Sequence, residues 1–120
     1  LSDAVLLFDL AQIDEAWGGA TDETYRMVLG IFAPEAEDLR AGLADALARH
    51  DLARLVRLAH TLRGAAANVA ASRLAACAGA LERAAADGDR AALPGLFGSM
   101  SDALVATCDS IAKMGPAGGG

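Results

Sequence analysis

The sequence predicts an all-α protein: an antiparallel four-helix bundle with a short extra helix at its N-terminal end. Hydrophobic residues make up 54% of the 120-residue chain but aromatics only 4%, and much of the apolar content is alanine. That mixture suits closely packed helices, whereas sheets draw on β-branched and aromatic residues. Cap and turn signals divide the chain into a few long segments with short connections, the pattern of antiparallel neighbours. No segment reads convincingly as a strand, and none as an internal repeat or a low-complexity core. A chain of this length buries about 60–70% of the surface its unfolded form exposes, so its core needs neither a metal nor a disulfide.

The elements follow in order. "AVLLF" (4–8) is compatible with a helical turn or an extended arm. Asp9 with Gln12 three residues on is a capping-box-like start, and "WGG" (17–19) stops that first short helix. Thr21, followed by Asp22 and Glu23, opens a second helix running to about Arg49, with a kink or short break near Ala33 forced by Pro34. Asp51 caps a third helix over about 52–70, and Ser72 a fourth over about 73–86. "DGD" (87–89) supplies a glycine turn and the next cap, after which a fifth helix fills 90–113, bent early by Pro94 and Gly95. Residues 1–114 thus read as one domain, and "GPAGGG" (115–120) as a flexible tail. Residue 1 is Leu rather than Met, as expected of a piece of a longer protein or of a trimmed stand-alone one.

Charge and composition narrow the function classes. A net charge of −6 and a pI near 4.7 argue against nucleic acid as the main partner. No uninterrupted apolar run approaches the roughly 20 residues that span a bilayer, so no membrane contact is expected. Cys77 and Cys108 read as small core residues of a reducing compartment, and with no secretory signal the expected location is the cytoplasm. His50, His60, Cys77 and Cys108 show no metal-ligand spacing, so no metal site is expected. No glycine-rich nucleotide motif or kinase catalytic set is present, which argues against autonomous use of ATP.

The stretch "AHTLRGAAANVAAS" (59–72) carries one of only two histidines. On a helical projection of 100° per residue with His60 at zero, Leu55, Leu58, Leu62 and Val69 fall within about 40° of the opposite side. That stripe is the expected core face. Val56, Arg57, Arg63, Gly64, Ala67 and Ala71 fall within about 60° of His60, so the imidazole points to solvent from a face of small residues flanked by two arginines. Such a shallow face admits the backbone of another protein. Gly64 strengthens the point, because a mid-helix glycine costs roughly 1 kcal/mol relative to alanine. A neutral imidazole offers a ring nitrogen that can attack phosphorus. Arg63, one turn along, is placed to neutralise the added phosphoryl charge, and Arg57 to add to the positive field.

"AHTLRGAAANVAASRL" (59–74) resembles the signature of histidine phosphotransfer (HPt) domains, the four-helix-bundle relay modules of two-component phosphorelays. His60, Leu62, Gly64, Ala65, Ala66 and Ala71 match it residue by residue, and the likeness extends loosely over 5–113. Two departures stand out. Arg63 replaces the usual lysine, and Ala70 replaces a glycine near the end of the helix, where a left-handed cap would cost an alanine about 1–2 kcal/mol. The resemblance implies that His60 accepts a phosphoryl group from a receiver-domain aspartyl phosphate and passes it to another receiver's aspartate. It also implies that Mg²⁺ belongs to the receiver rather than to this domain. By the same resemblance Val56, Gly64, Ala67 and residues of the first helix form the docking surface. The expected partners are response-regulator receivers, with a monomeric domain either free or joined to a hybrid sensor kinase. A dimeric kinase phosphoacceptor helix fits less well, since Thr61 rather than an acidic residue follows His60 and no proline lies in the helix. The remaining alternative is a non-catalytic helical interaction module.

Overall fold

The structure is a computed structural model in which residues 7–115 are described. From Leu10 on, the described residues form five α-helices in order: α1 (Leu10–Trp17), α2 (Glu23–Ala48), α3 (Leu52–Asn68), α4 (Ser72–Asp87) and α5 (Leu93–Lys113), with a 3₁₀ turn at Arg90–Ala92. Helices α2 to α5 contact one another in a closed ring, α2 on α3, α3 on α4, α4 on α5 and α5 on α2. The result is an elongated bundle of 45 × 23 × 22 Å. The described residues contain no strand.

Local chemistry sets most boundaries. Asp9 caps α1 by accepting the Gln12 amide at 3.1 Å, and Gly18 ends it in the left-handed region at φ 82°. Asp22, not Thr21, caps α2, its carboxylate accepting the Tyr25 amide at 2.8 Å. Asp51 caps α3 through the Arg54 amide. Ser72 is the first residue of α4 rather than its cap; Ala71 takes the capping position and supplies no side-chain bond. Pro34 does not break α2, which is helical from Glu23 to Ala48. Pro94 stands in the first turn of α5, where its missing N–H is no loss, so it starts that helix rather than bending it.

Three helix ends close by the same reverse turn, in which the amide five residues on returns to the last turn. Asp51 donates to the carbonyl of Ala46, Ala71 to that of Ala66, and Asp89 to that of Ala84. The turn needs one left-handed residue. Gly88 provides it at φ 72°, but the other two sites use His50 at φ 56° and Ala70 at φ 61°. Helix α3 therefore stops at Asn68, two residues short of the sequence expectation, and Ala70 bears the conformational cost itself. His50 meets the end of α2 through its backbone amide, which donates to the Leu47 carbonyl at 3.1 Å.

The end of α3 is clamped from two sides. The Asp9 amide donates to the Ala70 carbonyl at 2.9 Å, the Gln12 side chain to the Ala67 carbonyl at 3.0 Å, and the buried Tyr25 hydroxyl to the Val69 carbonyl at 2.8 Å. These bonds satisfy carbonyls that a helix end leaves orphaned. Gln12 is thus spent on α3 rather than on closing a capping box at Asp9. Leu7 and Phe8 are buried in the core; residues 4–6 of the ambiguous "AVLLF" segment and 116–120 of the expected tail lie outside the described residues.

The stretch Arg90–Lys113 is, by length and composition, long and apolar enough to cross a membrane, which qualifies the expectation that no apolar run reaches that length. In the bundle its Leu93, Met100, Leu104 and Ile111 are core residues, while Asp102 and Asp109 lie on its exposed side.

Burial pushes the Tyr25 phenol up to about 12. With the folded value above the unfolded one of about 10, the Tyr25 contribution is complete below pH 10 and lost as pH rises through the folded value. Tyr25→Phe should lower the unfolding free energy by about 1–2 kcal/mol at neutral pH, measured by denaturant titration, because it leaves the buried Val69 carbonyl without its donor.

Candidate functional site

Helix α3 turns Leu55, Ala59, Leu62 and Ala66 into the core. Two of the four are alanines, so the buried face is rotated toward α4 relative to the stripe of large residues, and Leu58 is only partly buried over Gly42 of α2. His60 remains on the opposite, open side, with 63% of its side chain exposed.

The structure brings a third side chain to His60 and Arg63. Glu82 of α4, 20% exposed, accepts from the Arg63 Nε at 2.8 Å with one oxygen and lies 3.0 Å from the His60 Nδ1 with the other. The Arg63 Nη2 also lies 3.0 Å from that Nδ1. A single ring nitrogen either donates to Glu82 or accepts from Arg63. The carboxylate concentrates its charge on two oxygens, whereas the guanidinium spreads its charge over a planar fork already bonded to Glu82, so the Nδ1–H···Oε2 arrangement is the stronger. In that tautomer Nε2 carries the lone pair. The ring is then an exposed nucleophile whose opposite nitrogen is held by a carboxylate, the orienting logic of many activated side chains.

Burial raises the Glu82 pKa, but hydrogen bonds from His60 and Arg63 and their positive charge outweigh it and hold the carboxyl below its usual value. Glu82 therefore stays ionised as pH falls toward the ordinary glutamate range, and the contact is lost only as pH drops through the lowered folded value.

The other sequence-derived residues divide. Arg57, Gly64 and Ala67 are exposed and Val56 is half-buried on the open side of α3. Nothing lies within 4 Å of where a Cβ at Gly64 would stand. Ala71 is a correction: it is fully buried, because the projection that placed it beside His60 was carried past Asn68, where the helix ends and the chain reverses. Helix α1 reaches this end of α3 through Gln12 and Ala67. Glu82 was missed because it lies 22 residues from His60 in sequence. The available signal was its place beside the buried Leu81 on α4, a carboxylate bordering a core stripe. Among the described residues no group of three or more His, Cys, Asp or Glu side chains gathers as a metal site.

The site is thus an exposed imidazole on a helix face of small residues in a helical bundle, with a carboxylate and a guanidinium beside the ring. The profile of the Hpt domain family matches residues 27–112, more than two thirds of the chain, and the protein belongs to that family. None of the curated proteins compared matches the chain. The fold is similar to the crystal structure of histidine-containing phosphotransfer protein B (HptB) from Pseudomonas aeruginosa PAO1, with a TM-score of 0.77 and 24% identity over 89% of this chain and 92% of that one. Hpt domains are phosphocarrier modules of two-component systems that partner with receiver domains and histidine kinases.

Replacing Arg63 with Ala removes a donor and a charge from Glu82. The carboxyl ¹³C resonance of Glu82 should titrate below the ordinary glutamate range in the wild type and move upward in Arg63→Ala.

Proposed function

We propose that this domain is a phosphorelay intermediate that takes a phosphoryl group from the aspartyl phosphate of one receiver domain and hands it to the aspartate of another. The observation that carries the reading is the exposed His60 ring with Nδ1 engaged by Glu82, which leaves Nε2 as the free nucleophile. In the first step the Nε2 lone pair attacks phosphorus, the bond from phosphorus to the aspartate oxygen breaks, and the electron pair leaves with the carboxylate. The ring then holds the phosphoryl group on Nε2 and the proton on Nδ1, a cation that Glu82 balances. The second step reverses the first, with the acceptor aspartate as nucleophile and Nε2 as leaving group.

This chain contributes the nucleophile, its orientation and a docking face, so positioning supplies much of the rate. Arg63, half-exposed and one turn from His60, adds positive charge toward the phosphoryl oxygens. Val56, Arg57, Gly64 and Ala67 form the face on which the receiver sits. The one carboxylate at the ring, Glu82, is committed to His60 and Arg63, which favours the receiver's acidic pocket as the holder of Mg²⁺. In this reading the domain acts as a cytoplasmic monomer without kinase activity of its own, either free or joined to a hybrid sensor kinase.

Incubation with a phosphorylated receiver should put acid-labile, base-stable label on the wild-type domain and none on His60→Gln. Label retained at the normal level in His60→Gln would remove His60 from the reaction, and an unlabelled wild type would favour a purely interacting module.

Gly64 tests the docking face. Since a methyl there meets open space, Gly64→Ala should raise stability by about 0.5–1 kcal/mol through helix propensity alone. Gly64→Gln should fold normally yet block transfer from the receiver, because its side chain stands in the approach path. Thermal unfolding and transfer rates on both variants decide the point.

A further inference from the structure

Gly79 of α4 is buried, and the side chains nearest to where its Cβ would stand are those of two arginines. A methyl at that position would lie 3.1 Å from the Cδ of Arg63 and 3.4 Å from the Nη1 of Arg83. Two arginine side chains roof the glycine, and one of them is the arginine at the phosphoacceptor. Arg63 is held there by its Nε, which donates to Glu82 at 2.8 Å. Gly79 and Glu82 are three residues apart on α4, and His60 and Arg63 three apart on α3, so each pair shares one helix face. The Arg63 stem crosses from one pair to the other over the gap that Gly79 leaves.

A glycine in a helix interior is the poorest choice short of proline, so its presence mid-helix asks for a reason. At Gly64 nothing stands within 4 Å of where a Cβ would lie. At Gly79 the reason stands directly above it. We infer that Gly79 is a positioning residue: it seats the aliphatic stem of Arg63 low against α4, so that the guanidinium meets Glu82 and the His60 ring together. A side chain there lifts Arg63 and loosens the carboxylate that orients the imidazole. The effect on transfer rests on the phosphoacceptor reading of His60, whereas the seating of Arg63 does not.

Gly79→Ala tests this in the whole domain, alone and combined with Arg63→Ala. Three quantities are read: thermal unfolding, solvent exchange of the Arg63 Nε–H by NMR, and phosphorylation of His60 by phosphoramidate, a small donor that needs no receiver docking. The variant should unfold at or above the wild-type temperature, and its Arg63 Nε–H should exchange roughly tenfold faster. Phosphorylation should fall roughly three- to tenfold, but less than about twofold when Arg63 is already Ala, the non-additivity of two residues acting through one contact. Unchanged Nε–H exchange would overturn the proposal. So would an equal rate loss in both backgrounds, or a marked fall in unfolding temperature, since each assigns Gly79 to packing alone. If wild-type His60 takes no phosphoryl group, the relay reading fails and the exchange measurement alone decides the seat.

Discussion

The close packing of α3 on α4 is the contact on which the rest of the structure depends. These two helices share the most extensive interface of the bundle. The buried residues of the two helices are largely small: Ala59 and Ala66 on α3 and Ala78, Gly79, Ala84 and Ala85 on α4, beside Leu55, Leu62, Leu74 and Leu81. Small side chains draw the helix axes together, and close packing of this kind leaves little slack. The short separation lets side chains of modest reach act across the interface: Glu82 reaches His60, and Arg63 reaches Glu82. Larger residues at the alanine positions would push the helices apart and separate the imidazole from its carboxylate before affecting any atom of the ring.

A second constraint holds α3 in register along its axis. Its last turn would expose unpaired carbonyls, and the chain answers with three donors from two elements: the Asp9 amide, the Gln12 side chain and the Tyr25 hydroxyl. The Trp17 ring packs against Tyr25 with centroids 5.4 Å apart, which ties α1 to the same post. The short helix is therefore joined to the bundle at the end of the helix that presents His60, and it borders the open face at Ala67. The left-handed Ala70 persists in this setting because the Ala71 and Asp9 amides and the buried position of Ala70 over-determine it.

The site combines rigid support with an open front. Behind the ring, Glu82 accepts from the His60 Nδ1 with one oxygen and from the Arg63 Nε with the other. In front, Gly64 and Ala67 leave the surface shallow. One helix face thus serves two partners, α4 on one flank and solvent or a docking protein on the other. The two glycines near the site divide the work in the same way, Gly64 open to the outside and Gly79 closed beneath an arginine.

The sequence by itself determined the number and type of helices, most of their starts and the outward direction of His60. These depend on local chemistry: cap carboxylates at Asp9 and Asp51, glycine at Gly18 and Gly88, and a helical period that needs no partner to be read. At Thr21 and Ser72, read as helix caps, the boundary moved by one position, to Asp22 and Ala71. Pro34 was read as a kink or a short break near Ala33, but α2 stays helical through it, with Leu29, Phe32 and Ala36 buried on either side. Only the tertiary structure decided the rest. Ala71 passed from the open face to the core because a reverse turn with alanine in the left-handed position carries no glycine to announce it. Glu82 joined His60 because two helices meet there, a contact between residues far apart in sequence that no local period encodes. Alanine also has no size or polarity by which the sequence distinguishes a tight interface from an exposed surface; at Ala59 and Ala67, which are buried and exposed on the same helix, the neighbouring helices make that choice.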